Sequence, residues 1–120
     1  MNYIKQHLGN AGESAVTDSL IKDGYTIVAR NYRIRGGEID IIVRKDEYLA
    51  FVEVKTRKKS LFPLSEVITV SKQKTIIRTA KHFLATYKEQ TLDTVYRFDV
   101  ALVEGSDLII TYIPNAFAGE

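Results

Sequence analysis

The chain has 120 residues, 45% of them hydrophobic and 27% charged, with seven glycines and two prolines, a profile that fits one domain over residues 1–120 and excludes long disordered linkers. It contains no cysteine, which excludes disulfides, thiolate metal sites and cysteine catalysis. A net charge of +2 argues little for or against a nucleic-acid partner by itself. The N-terminus, Met1-Asn2-Tyr3-Ile4-Lys5, lacks the apolar core of a signal peptide, and the apolar runs are too short to span a bilayer, so a cytoplasmic location and no membrane partner are expected.

In chain order, residues 2 to 23 predict a helix closed by Gly24, with an apolar stripe through Val16 and Leu20 and the small Gly12 on the same side. Tyr25 to Arg33 is rich in aromatic and β-branched types and predicts a strand. Residues 38 to 44 and 48 to 56 predict two more, joined by the polar turn Lys45-Asp46-Glu47, with Gly36-Gly37 giving a sharp turn or bulge before them. Residues 57 to 70, containing Pro63, read as a loop, and Ser71 reads as the cap of a second helix. That helix places Ile76, Ile77, Ala80, Phe83, Leu84 and Tyr87 on one side and Lys74, Arg78, Lys81 and Lys88 on the other. Residues 96 to 104 and 107 to 113 predict a closing hairpin across Gly105-Ser106. Helix, three strands, helix, two strands is the pattern of an α/β domain, a mixed sheet of about five strands with helices packed on it.

Register carries the chemistry. With the turn centred between Asp46 and Glu47, Ile39 faces Val54, Ile41 faces Val52 and Val43 faces Ala50, so one face of the hairpin is wholly apolar. A slip by one residue would set Ile39 against Lys55 and Ile41 against Glu53, so the pattern favours this register or one differing by two. On the other face Asp40 falls opposite Glu53 and Glu38 opposite Lys55. Directly opposed like charges destabilise a sheet. A divalent cation offsets that repulsion, because Mg²⁺ is held by one or two carboxylates plus waters and phosphate oxygens. Lys55, two residues from Glu53, points to the same side of its strand and is placed to orient an attacking water or stabilise developing charge. Asp40, Glu53 and Lys55 are thus the candidate catalytic set, with Asp40 and Glu53 as metal ligands. The competing interpretation is a Glu38–Lys55 ion pair, with Asp40 and Glu53 each tied to an arginine at a solvated strand end.

Other residues frame this set. Glu13 shares the stripe of Val16 and Leu20; it is either a further metal ligand or an edge residue reaching solvent. Arg30, Arg33 and Arg35 precede the acidic pair, and Lys55, Arg57, Lys58 and Lys59 follow Glu53, a basic rim around acids or an ordinary solvated surface. Lys72 and Lys74 oppose the dipole of the second helix unless a phosphate docks at its start, where Gln73 would add a polar contact. The candidate nucleic-acid contacts are therefore Arg33, Arg35, Arg57, Lys58, Lys72, Gln73 and Lys74. His7 and His82 lack a second histidine at ligand spacing and read as surface or packing residues. Asp99, in Arg97-Phe98-Asp99-Val100, reads as the structural partner of an arginine.

Several segments together resemble the YraN-like bacterial family of the PD-(D/E)xK nuclease superfamily, itself similar to archaeal Holliday junction resolvases. They are Gly12-Glu13, Asn31-Tyr32-Arg33, Gly37-Glu38-Ile39-Asp40, Phe51-Val52-Glu53-Val54-Lys55-Thr56-Arg57, Lys72-Gln73, Arg97-Phe98-Asp99-Val100 and Asn115-Ala116-Phe117. The residue before Asp40 is Ile39, so the proline of the superfamily's name is missing. The resemblance implies a restriction-endonuclease-like core, metal binding by Asp40 and Glu53 with Glu13 as an extra ligand, and Lys55 as the catalytic lysine. It also implies a DNA partner and, by analogy with resolvases, a homodimer. The expected function is a Mg²⁺- or Mn²⁺-dependent endonuclease acting on DNA, branched or otherwise structured. Beside it stand a nucleic-acid-binding module with little catalysis and an interaction protein whose acids form an ion-pair network.

Overall fold

A computed structural model describes residues 2–57 and 68–119. Among them the order is α1 (Asn2–Lys22), β1 (Thr26–Ile34), β2 (Gly37–Lys45), β3 (Tyr48–Arg57), α2 (Val70–Leu84), β4 (Val95–Glu104) and β5 (Ile109–Phe117). The strands form one mixed sheet in the order β1-β2-β3-β4-β5. β3 and β4 are parallel and the other neighbours antiparallel. A parallel pair needs a long crossover, and the β3-to-β4 connection supplies it with α2.

Alternation along the strands sorts the core into two layers. Ile41, Val43, Ala50, Val52, Ala101 and Val103 pack with Val16 and Leu20 of α1. Ile42, Leu49, Phe51 and Phe98 pack with Ile76, Ala80 and Phe83 of α2. One helix therefore covers each face, as the apolar stripes anticipate. α1 approaches β3 closely at Gly12, where a Cβ would lie 2.6 Å from Thr56 Oγ1. Among the described residues no helix is long and apolar enough to cross a membrane.

The predicted hairpin register is present: Ile41 pairs with Val52, Ile42 with Phe51, Val43 with Ala50 and Arg44 with Leu49. The ladder stops at Ile41–Val52, so the expected pairings of Ile39 with Val54 and Asp40 with Glu53 are not part of it. Ile39 packs in the α2 layer and Val54 against the α1 layer. The break centres on Asp40, whose Oδ2 accepts a hydrogen bond from the Val54 N–H at 2.8 Å. The carboxylate reaches across to β3 where a backbone carbonyl would otherwise serve, and the strands part beyond it.

Three boundaries differ from expectation. The cap of α2 is Thr69 rather than Ser71: its extended backbone (ψ 161) lets the hydroxyl accept from the Lys72 N–H, and the helix begins at Val70. α2 ends at Leu84, so Tyr87 lies beyond it, yet its ring still stacks on Phe83 at 5.1 Å. β5 runs past Pro114 to Phe117, which a proline permits on an edge strand. The predicted loop over 57–70 lies mostly outside the described residues.

Candidate metal and phosphate site

The parting of β2 and β3 sets two carboxylates side by side. Glu53 is 8% exposed. Burial, then the charge of Asp40, pushes its carboxyl up to about 7, and Lys72 opposes the shift. Asp40 is also raised, by burial first and by Glu38, while the Val54 N–H, a hydrogen bond with Glu53 and the charge of Lys72 pull the other way. Burial therefore disfavours ionisation of both carboxyls, and the pair holds its negative charge poorly.

The counter-charge comes from α2. Lys72 Nζ stands 3.3 Å from Glu53 Oε2. No local pattern announces this contact, because the two residues are far apart in the chain. The contact follows from the start of α2 at Val70, which sets Lys72 over Glu53.

Glu13 comes from the opposite layer. Its carboxyl is raised by burial first and then by Asp40, with Arg30 opposing. Its side chain is 18% exposed, and the Arg30 Nη2 lies 3.9 Å from Oε1. That distance is a charge contact too long for a hydrogen bond, and Oε1 is buried with no hydrogen-bond partner. Glu13 is thus half-buried, with Oε1 turned inward. Among the described residues no three Asp, Glu or His side chains converge closely enough to enclose a metal on their own. Two carboxylates with one acceptor left over match an ion that takes its other ligands from water and phosphate.

Lys55 is exposed on the same side of β3 as Glu53, about 7 Å further along the strand. It does not pair with Glu38, whose Oε2 instead accepts from Arg33 Nε at 3.0 Å across the β1–β2 pair. The competing ion pair from the sequence is thus absent.

The candidate nucleic-acid residues divide. Arg35 and Lys74 are exposed, with no ion pair among the described residues. Arg33 is exposed but paired with Glu38, and Lys72 turns inward to Glu53. Gln73 Nε2 donates to the Ile68 carbonyl at 3.2 Å. Arg57 departs most from expectation: its side chain is 14% exposed and pairs with Glu104 at 3.6 Å, its neighbour in the parallel register. Lys58 lies outside the described residues. His82 Nδ1 meets the Tyr32 hydroxyl at 2.6 Å, a packing role as expected.

Asp99 is fully buried and fully met. It accepts from Arg97 Nε and Nη2 at 2.9 Å, from the Asn115 N–H at 2.9 Å and from the Tyr112 hydroxyl. Its hydrogen bonds raise Arg97, and burial followed by Asp99 raises Tyr112. This is the structural arginine partner expected of it.

A mixed five-stranded sheet, one helix on each face and an acid pair where two central strands part define an α/β protein of restriction-endonuclease-like architecture. More narrowly, the chain belongs to the family described as Uncharacterised protein family UPF0102, the YraN family, whose model matches residues 12–103. It is similar to the UPF0102 protein of Caldicellulosiruptor saccharolyticus, 42% identical over 118 residues, covering 94% of this chain and 98% of the relative. The UPF0102 protein of Trichlorobacter lovleyi is 40% identical over 117 residues, covering 93% and 91%. That of Prosthecochloris aestuarii is 47% identical over 105 residues, covering 86% and 80%.

Proposed function

We propose that this protein is a Mg²⁺- or Mn²⁺-dependent endonuclease that hydrolyses phosphodiester bonds in DNA, with branched or otherwise structured DNA as its substrate. The observation that carries the proposal is the Asp40–Glu53 pair, a half-buried and a buried carboxyl held together at the cost of raised pKa values. A single lysine contact leaves that cost only partly offset. Perturbed acids in such a setting mark functional sites more often than structural ones.

Asp40 and Glu53 would hold the cation, and the unbonded Oε1 of Glu13 would take part directly or through water. When bound, such an ion polarises the scissile phosphate and lowers the pKa of a coordinated water. The chain's own residues do the rest. Lys55 orients the attacking water and stabilises charge growing on the phosphate. Lys72 turns from Glu53 to a phosphate oxygen. One domain carries one such site, so cutting both strands of a branch calls for a second copy of the chain.

The test is cleavage of branched, nicked and single-stranded DNA with Mg²⁺ or Mn²⁺, alongside calorimetric metal titration with DNA present. Metal-dependent cleavage that Lys55→Ala and Asp40→Asn both abolish supports the proposal. Salt-sensitive DNA binding without turnover would replace it with a non-catalytic nucleic-acid module. Lys72 already neutralising Glu53 is the observation that favours this second reading. Neither metal nor DNA binding would reduce the acids to an ion-pair network.

A further inference from the structure

α2 reads Val-Ser-Lys-Gln-Lys-Thr-Ile-Ile-Arg-Thr-Ala-Lys-His-Phe-Leu, with four lysines and arginines and no acid. Lys72 belongs to the carboxylate pair. Lys74, Arg78 and Lys81 remain, all exposed. They line a groove of about 540 Å³ with Val70, Gln73 and Ile77. From Lys74 to Lys81 is about 10 Å along the helix axis, and one strand of a duplex places a phosphate about every 3.4 Å along its own axis.

The β1–β2 turn completes this surface. Arg78 Nη2 donates to the Gly36 carbonyl at 2.9 Å, where the turn takes φ +81. α2 lies against Gly37 so closely that a Cβ there would stand 2.1 Å from Thr79 Oγ1. The exposed Arg35 is thereby fixed beside α2. Several acids lie elsewhere, around the β2–β3 turn at the far end of the hairpin. Asp46 and Glu47 are in that turn, Glu89 pairs with Arg44, and the Asp23 carbonyl accepts from Lys45. Those acids sit among Arg44 and Lys45, whereas α2 carries only bases on its outer face.

We propose that α2 and the β1–β2 turn form a rail for the phosphate backbone of one double-stranded arm of the substrate, with Lys74, Arg78, Lys81 and Arg35 as its contacts. The proposal rests on the assignment of the carboxylate pair to nucleic acid and goes beyond it by naming a second contact surface and the form of strand it takes. Charge complementarity selects the occupant; Lys72, two residues before Lys74, points to the other side of the helix and is not part of the rail. Among the described residues neither α2 nor the turn exposes a Tyr or Phe ring, so the rail offers no stacking platform for a single strand. It reads charge and spacing, which a duplex presents whatever its sequence.

The experiment is fluorescence anisotropy of the full chain with a short labelled duplex in EDTA, where nothing is cut, across a salt series. Lys74→Gln with Lys81→Gln keeps good helix formers at exposed positions, so the fold is retained. The expected result is weaker duplex binding and a log–log salt slope flatter by about two. Lys22→Gln, on α1 across the sheet, is expected to bind as wild type does. An unchanged slope in the double variant, an equal loss in Lys22→Gln or preference for a single strand over the duplex would each overturn the rail. So would a wild-type chain that binds no duplex, or one that takes an acidic peptide in its place. Cleavage separates the two proposals. Undiminished cutting by the double variant removes the rail and leaves the site; rail-dependent binding without any cutting removes the endonuclease and leaves the rail.

Discussion

Asp99 and Glu53 are buried carboxylates on neighbouring strands, one step apart in the β3–β4 register and on opposite faces of the sheet. Asp99 has an arginine, a tyrosine and a backbone N–H arranged around it. Glu53 has another acid beside it and one lysine at 3.3 Å. Burial alone therefore says nothing about role. What separates the two is whether the fold supplies partners for the charge. Where it does, the acid is part of the framework; where it does not, the carboxyl is held above its usual range.

The sharpest way to break this comparison is Asp99→Ala. It leaves Arg97 charged and mostly buried, and breaking such a pair is expected to cost about 3–5 kcal/mol in urea unfolding. A loss below about 1 kcal/mol would place Asp99 with the unmet acids.

Glu53→Gln tests the other half through pH. The Glu53 carboxyl is raised from 4.5 to about 7, so the folded state favours its proton. The associated stability is fully present below the unfolded pKa and is lost as pH rises through the folded one. Wild-type unfolding free energy should therefore fall between about pH 4.5 and 7, by at most about 3 kcal/mol from this group. Glu53→Gln should flatten the slope, and added Mg²⁺ should offset it in wild type only. An equal slope in the variant would show that Glu53 is not its source.

Asp40 combines both roles on a smaller scale. Asp40→Asn keeps an oxygen for the Val54 N–H and should fold nearly as well as wild type, whereas Asp40→Ala strands that donor and should cost about 1–2 kcal/mol more by denaturation. Both should abolish cleavage. Smallest is Lys72→Met. Its half-exposed ammonium should contribute less than about 1 kcal/mol to stability. Its loss should move the Glu53 carboxyl further up in a carbon-detected NMR titration.

The hairpin register was readable to within a shift of two because Ile41 and Val43 on one strand and Ala50 and Val52 on the other share a period of two, and a slip by one would bury charge. The parting at Asp40 was not, because an acid in a strand looks the same whether it faces water or takes a backbone N–H from the next strand. The carboxylate pair was therefore foreseen as cross-strand neighbours, whereas it sits just beyond the ladder. The ion pair of Arg57 was not readable for a related reason. Its partner Glu104 is set by a parallel register that depends on the crossover, and no local pattern encodes it. The choice between Thr69 and Ser71 as cap turned on which hydroxyl reaches a free N–H three residues on, a matter of backbone angle that both residue types permit.

The bond from Val54 to Asp40 gives the molecule an internal gauge. From Tyr48 to Val52, where β3 is paired on both sides, the amide protons are shielded by neighbouring strands and exchange only when the sheet opens. The Val54 proton is held by a single side chain. Its exchange with solvent therefore follows the orientation of that one carboxylate, and a ligand that draws Asp40 away would speed one amide while its neighbours on β3 keep time.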